Sequence, residues 1–355
     1  MERHEMETLF RPLDFEQALH LLDVLTWFPE AGEERWACAA SYVNERCPDS
    51  PAQDERALRG VLERVLSHTA AAARRPAGGE TGEPAGRWRL IPEPKQLYTL
   101  KYDVMAELYP DAWFSCMNMG YAPLAAEAAL PPLAASEEPM RHSLHLYHHV
   151  AGGVPLAGKR VLEVGCGRGG GADFVARHHG PRELHGLDQC PRNVELCTRR
   201  YGRAGLVFHQ GDAEALPFAG ESFDAVLNVE SAHCYPSLAR FLAEVRRVLR
   251  PGGHFLFADE WWREDLASLR AGLAGSGLVV RREQDVTANV VAALAALERR
   301  FPAILSAIAD SRQRMIWERF FRVRVCADSA ASYTSGRFVF LNFVLERPRE
   351  AAPGH

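Results

Sequence analysis

Apolar and polar positions follow two different rhythms along this chain, and the change of rhythm divides it. In the first ninety or so residues the spacing is helical. Leu13, Phe15, Leu19, Leu22, Val24, Leu25, Trp27 and Phe28 fall among acidic and polar residues behind Pro12, which predicts a helix over 13–28. Segments 33–47 and 53–67 repeat the pattern. Residues 74–87, RRPAGGETGEPAGR, carry too little apolar surface to order themselves and read as a flexible loop. Residues 88–92 then read as a short strand, and 98–109 as another amphipathic helix. From residue 159 onward the apolar runs become short. Those at 161–164, 183–187, 205–209, 223–228, 254–258 and 277–280 read as strands, with helical patterns at 191–201 and 238–249 between them. Helical patterns at 286–300, 303–308 and 312–322 precede a long β-prone run at 336–345.

Short strands joined by helices predict an α/β chain whose mostly parallel sheet is covered on both faces. Three parts follow. Residues 1–92 form a mostly helical module with the flexible loop 74–87, residues 93–150 a flap with connecting helices, and residues 151–350 the sheet domain. Residues 285–322 are too many for a simple crossover and are expected to cap the carboxyl ends of the strands, where ligands bind in such sheets.

Composition removes several classes of function. The 355 residues carry a formal charge of −5, with both signs mixed along the chain, which gives no support to a nucleic-acid partner. No run of about 18 uncharged apolar residues occurs, so no membrane span is expected. The opening stretch lacks an apolar core bounded by a cleavage site, and the expectation is a cytoplasmic protein. The eight cysteines are scattered without a CxxC pair; they read as reduced thiols, and no metal site is expected.

The candidate chemistry centres on KRVLEVGCGRGGG, residues 159–171, a strand followed by a glycine turn and a helix start. Gly165 and Gly167 allow a sharp turn and a close backbone approach to a ligand. Taken alone, Gly165, Gly167 and Gly170 also fit a dinucleotide fingerprint. Polar residues gather at the other strand ends: Asp188 after the second strand, Asp212 after the third, and Asn228, Glu230 and His233 after the fourth. A ligand with a ribose and an adenine suits this layout, with Asp188 accepting from ribose hydroxyls and Asp212 from the adenine amino group.

The motifs VLEVGCGRGGG (161–171), GLD (186–188), GDAEALPF (211–218), SFDAVLNVESAHCYP (222–236) and EVRRVLRPGGHFLFAD (244–259) together resemble the class I S-adenosylmethionine-dependent methyltransferases. LAASEEPMRHSLHLYHH (133–149), LNVESAHCYP and SGRFVFLNFVL (335–345) bring the likeness closer to the phthiotriol and phenolphthiotriol dimycocerosate methyltransferases and the small-molecule methyltransferases around them. The likeness covers about 130–346 and leaves the first ninety residues without a counterpart. It implies a Rossmann-like seven-stranded sheet of order 3-2-1-4-5-7-6 with the last strand antiparallel. It places Gly165, Gly167 and Gly169 at the methionine portion of S-adenosyl-L-methionine and Asp188 at the ribose, with Glu163 and Gln189 also among the cofactor-binding residues. Asp212 and Ala213 fall at the adenine, and Asn228 beside the pocket mouth. The fragment 102–121 is similar to the flap of such enzymes and brings Tyr121 to the cofactor.

A sulfonium is already an activated donor, so the protein chiefly aligns the acceptor and sets its protonation state. His233, just past the fourth strand, is the candidate base, with Glu230 to orient it; His148 and His149 are alternatives. Trp113, Met119, Tyr147, His149, Trp261, Trp262, Trp317 and Phe321 are expected to line a site for a sizeable apolar acceptor, such as a polyketide, terpenoid or lipid-like metabolite. O-methylation is the reading, with N- or C-methylation, or a cyclase keeping the fold, as alternatives. The amphipathic N-terminal helices suggest a homodimer surface.

Overall fold

The computed structural model describes residues 3–27, 34–73, 94–108, 115–124, 130–311, 314, 318 and 327–349. The predicted loop 74–87, the strand at 88–92 and most of the helix at 312–322 lie outside them. The chain divides into two compact units, Met1–Pro110 and Asp111–His355.

The first unit is helical throughout its described residues: α1 (Arg3–Phe10), α2 (Phe15–Trp27), α3 (Glu34–Arg46), α4 (Glu55–Ala73) and α5 (Pro94–Leu108). Helix α1 corrects the expectation of a single first helix. Met6, Leu9 and Phe10 make a short apolar stripe that is buried, and the chain turns at Arg11–Leu13 before restarting. The restart is a reciprocal cap: Gln17 N donates to Asp14 Oδ1 at 2.8 Å, and Asp14 N donates to Gln17 Oε1 at 3.3 Å. Helix α2 lies against both α3 and α5 and buries Ala18, Leu19, Leu21 and Leu22.

The second unit is built on β1 (Arg160–Val164), β2 (Glu183–Asp188), β3 (Leu206–Gln210), β4 (Phe223–Val229), β5 (Leu249–Trp262), β6 (Val279–Asp285) and β7 (Phe338–Glu346). Its strand order is β3-β2-β1-β4-β5-β7-β6, and β7 runs antiparallel to both neighbours, as expected. The helices are α6 (Arg141–Ala151), α7 (Gly170–His178), α8 (Pro191–Tyr201), α9 (Leu238–Val248), α10 (Leu266–Gly275), α11 (Thr287–Ala307) and α12 (Ala327–Thr334). The main core holds Phe241, Val245 and Val248 of α9 and Leu269 and Leu273 of α10 against Phe223, Phe255, Phe257 and Phe343 of the sheet. Each such phenylalanine contributes roughly 1.5–3 kcal/mol through burial.

Two strands are longer than their apolar runs. β4 leaves β5 at the pair Val229–Ala258, but β7 accompanies β5 four residues further, from Asp259–Leu341 to Trp262–Phe338. Antiparallel pairing with FVFL therefore carries Asp259, Glu260, Trp261 and Trp262 beyond the carboxyl end of β4. β6 continues through charged residues to Asp285 because it is an edge strand, where outward charges discourage pairing with another sheet. The expected break at Pro302 is absent: α11 runs through it, at the cost of one helical hydrogen bond.

Candidate functional site at the carboxyl ends of the strands

β1 ends in a turn that only glycine can make. Gly165, Gly167 and Gly169 have φ of +75°, +52° and +80°, and the amides of Gly165 and Cys166 both donate to Leu187 O of β2. A Cβ on Gly165 would stand 2.2 Å from Ser231 Oγ, and one on Gly167 2.6 Å from Met117 Cε. Asp188 ties the turn to the next βα junction. Its carboxylate accepts from Gly167 N at 2.8 Å and from Cys190 N at 2.9 Å. Gln189 is exposed beside it, while Asp212 Oδ1 accepts from Glu214 N and Ala213 is buried.

Two buried polar side chains face this turn. Glu163 is 1% exposed; its Oε1 accepts from Tyr147 Oη at 2.8 Å, and its Oε2 has no partner among the described residues. Burial pushes the Glu163 carboxyl up to about 7, opposed by the Tyr147 hydrogen bond and assisted by the charge of Asp188. Asn228, fully buried at the end of β4, donates through Nδ2 to Val164 O at 3.0 Å and to Ser231 Oγ at 2.8 Å. Its Oδ1 likewise has no described partner. Buried acceptors of this kind are costly unless a ligand or water donates to them. A ligand carrying an ammonium group fits them, and the bare glycine backbone leaves room for its close approach.

A single segment crosses the turn. Ser115 O accepts from Gly170 N, Met117 lies against Gly167, and Met119 N donates to Glu230 Oε2 at 2.7 Å. Tyr121 N then donates to His142 O of α6, and Ala122 exchanges hydrogen bonds with Asn289 of α11. The Tyr121 ring stacks on His149 with centroids 4.3 Å apart. Glu230, the anchor of this segment, holds φ at +51° and donates its own amide to Ala258 O at 2.7 Å. A non-glycine residue in that region costs about 1–3 kcal/mol and persists where its surroundings require it.

Beyond Glu230 the chain makes a short helical turn, Ala232–Cys234, that delivers His233 to the overhanging end of β5. His233 N donates to Asp259 Oδ2 at 3.1 Å, and His233 Nδ1 lies 2.8 Å from Asp259 Oδ1. Asp259 is fully buried, whereas the imidazole is about a quarter exposed at 26%. Burial alone would lower the pKa of His233. The charges of Cys234 and Asp259, with hydrogen bonds to both, outweigh it and raise the imidazole well above its ordinary value. With Nδ1–H assigned to Asp259, Nε2 is the nitrogen left to take a proton.

The other expected residues are dispersed. Trp261 and Trp262 are half-buried on the β5 overhang, and Trp262 packs on Phe338 with ring centroids 4.1 Å apart. Tyr147 sits behind the turn: its hydroxyl is bonded to Glu163, and a Cβ on Gly171 would fall 1.9 Å from its ring. His148 meets His179 at 3.2 Å, at the far end of α7 and about 13 Å of helix from the glycine turn. Trp113, Trp317 and Phe321 lie outside the described residues. Asp259 and Tyr333 were not singled out as site residues in the sequence. Tyr333, buried on α12, donates to Glu260 Oε2, and burial with the charges of Glu260, Glu230 and Asp259 raises its hydroxyl well above its ordinary value. An acidic residue closing the apolar run FLFAD was the available signal for Asp259. Nothing local marks Tyr333.

Comparison with known proteins agrees with this layout. A family described as methyltransferase domain matches residues 162–257. The chain is 50% identical over 159 residues to phthiotriol/phenolphthiotriol dimycocerosates methyltransferase 1 of Mycobacterium ulcerans, covering 45% of this chain and 59% of that protein. It is 44% identical over 182 residues to the corresponding Mycobacterium leprae enzyme, covering 49% and 67%. It is 43% identical over 208 residues to a fatty-acid O-methyltransferase of Mycolicibacterium smegmatis, covering 58% and 74%. The chain thus spans less than two thirds of the Mycobacterium ulcerans relative's length. Among solved structures, the [4+2]-cyclase SpnF superposes with a TM-score of 0.56 at 21% identity, covering 76% of this chain and 100% of that one, a likeness of fold.

Proposed function

The chain belongs to the class I S-adenosylmethionine-dependent methyltransferases, related to the phthiotriol/phenolphthiotriol dimycocerosates methyltransferases, and on that footing we propose that it methylates a hydroxyl of a sizeable apolar metabolite. S-adenosyl-L-methionine supplies, when bound, a methyl group activated by a sulfonium. The residues suited to hold it are the glycine turn from Gly165 to Gly169, Asp188 for the ribose hydroxyls, and Asp212 for the adenine amino group. Glu163 and Asn228 each offer an unused acceptor oxygen for its ammonium group.

The observation that carries the reading is the His233–Asp259 pair at the overhanging end of β5. Asp259 fixes the imidazole and its tautomer, so that Nε2 accepts the proton as the acceptor oxygen gains its methyl group. Met117 and Met119 on the crossing segment and Trp261 on the overhang supply apolar surface for the rest of the acceptor. Relatives named for phthiotriol/phenolphthiotriol dimycocerosates and for fatty acids support an acceptor of that kind. The residues of the N-terminal unit belong to this proposal as a self-association surface, and the protein as a cytoplasmic enzyme.

The test is transfer of labelled methyl from S-adenosylmethionine to matched long-chain alcohols, phenols, carboxylic acids and amines. The reading expects label on a hydroxyl, lost by a factor of about 10²–10⁴ in His233→Ala with cofactor affinity unchanged. Label on nitrogen or carbon alone would refute it.

A further inference from the structure

Among the described residues outside the strand-end site, one cluster of side chains has the chemistry and convergence of a metal site, and it lies wholly within the N-terminal unit. Glu16 and His20 are four residues apart on α2, which puts them on one face of the helix. Cys47 follows the last residue of α3, and its amide still donates to Val43 O at 3.0 Å. The turn after Cys47 is fastened to the first turn of α2. Gln17 Nε2 donates to Pro51 O at 2.7 Å, Gln53 Nε2 donates to Gln17 Oε1 at 3.2 Å, and Ser50 Oγ donates to Asp14. Those bonds carry Cys47 to the Glu16–His20 face, where one donor atom from each of the three lies within 4.8 Å of the other two. His20 is 4% exposed and Cys47 2%, with Glu16 half-buried at the rim.

We propose that Glu16, His20 and Cys47 form a zinc-type metal site that staples α2 to the end of α3. The donor set decides the class of ion. One thiolate, one imidazole and one carboxylate suit Zn²⁺, whereas Mg²⁺ and Ca²⁺ take oxygen ligands. Three protein ligands leave the fourth tetrahedral position to a water, on the half-buried side at Glu16. The thiol loses its proton on binding and the imidazole must be neutral, so uptake releases protons and weakens in acid. This site is independent of the methyltransferase reading, and its loss leaves that reading intact.

The test uses the full-length chain, stripped with a chelator and titrated with Co²⁺. Wild type is expected to take up about one Co²⁺ per chain and to show a thiolate-to-cobalt charge-transfer band that Zn²⁺ then abolishes. Cys47→Ser should remove the band. Glu16→Gln and His20→Gln should weaken uptake by at least the roughly 10–100-fold that disturbing even an outer-shell partner costs. Circular dichroism checks that each variant keeps its helices. If one unfolds, X-ray absorption of the zinc-loaded wild type decides, with one sulfur near ~2.3 Å and at least one nitrogen near ~2.0–2.1 Å expected. Absence of a charge-transfer band, its survival in Cys47→Ser, or a zinc shell without sulfur would each overturn the proposal.

Discussion

Replacing Asp259 by asparagine tests the strand-end site without altering its shape. The native carboxylate is fully buried and accepts from His233 Nδ1 at 2.8 Å, His233 N at 3.1 Å and Glu260 N at 2.8 Å. Asparagine keeps the volume but removes the charge, and its amide can present NH₂ to Nδ1 and so favour the wrong tautomer. A hydrogen bond to a charged group contributes about 1.5–3 kcal/mol, and one pKa unit corresponds to about 1.36 kcal/mol. The pKa of His233 should therefore fall. His233 is a base only above its pKa, which in the native protein is raised, so wild-type kcat should climb with pH through an inflection above the ordinary value for histidine. In Asp259→Asn the inflection should move to lower pH, with a plateau lowered by about 10²-fold or more. Folding stability provides a second readout. A raised folded-state pKa adds stability that is full below the unfolded pKa and is lost as pH rises through the folded one. The melting-temperature gap between wild type and variant should be largest in mild acid and shrink at alkaline pH. Initial rates across pH with saturating cofactor decide the matter. An unmoved inflection, or a loss that tracks cofactor affinity, would refute the assignment of His233 and Asp259.

Other perturbations follow from the same geometry. Gly165→Ala adds a Cβ 2.2 Å from Ser231 Oγ at a φ of +75°, and should abolish calorimetric binding of S-adenosylmethionine even where the protein still folds. Asp188→Ala removes the acceptor of Gly167 N and the proposed ribose contact; titration should show weakening of at least about 10-fold, and no binding of NAD in either protein. Tyr147→Phe deprives Glu163 of its donor and should cost about 1–3 kcal/mol at neutral pH by chemical denaturation. Because the Glu163 pKa is already raised to about 7, the ionised form is the destabilised one, and the cost should diminish as pH falls below that value. Deleting residues 1–87 should lower the oligomeric state found by light scattering while largely preserving cofactor binding; a full-length protein that is monomeric throughout would remove the proposed dimer surface.

How much of this was legible depended on how local each determinant is. The glycine turn and Asp188 follow from short motifs whose meaning is set within one βα unit, whereas the strand order came only with the resemblance to a known family. Helix α1 was hidden because its apolar stripe of Met6, Leu9 and Phe10 is only three residues long. The partner of His233 was hidden for a different reason. Asp259 is 26 residues away, and reaches the imidazole because β7, some 80 residues further on, holds β5 extended past the end of β4. His148 read as an alternative base by its proximity in sequence to the sheet, but helix direction places it beside His179, remote from the strand ends. Tyr333 is a tertiary contact with no periodic or motif signature.

The overhang of β5 separates two adjustable parts of the molecule. The glycine turn, Asp188 and Asp212 stand at the ends of β1, β2 and β3, whereas Asp259 to Trp262 stand on a ledge whose one strand partner among the described residues is β7. Lengthening or trimming that two-strand ledge would change the surface proposed for the acceptor while leaving the glycine turn untouched. The ledge can change length freely beyond Trp262, but a single residue inserted in β5 ahead of Asp259 would turn that carboxylate to the opposite face of the sheet, away from His233.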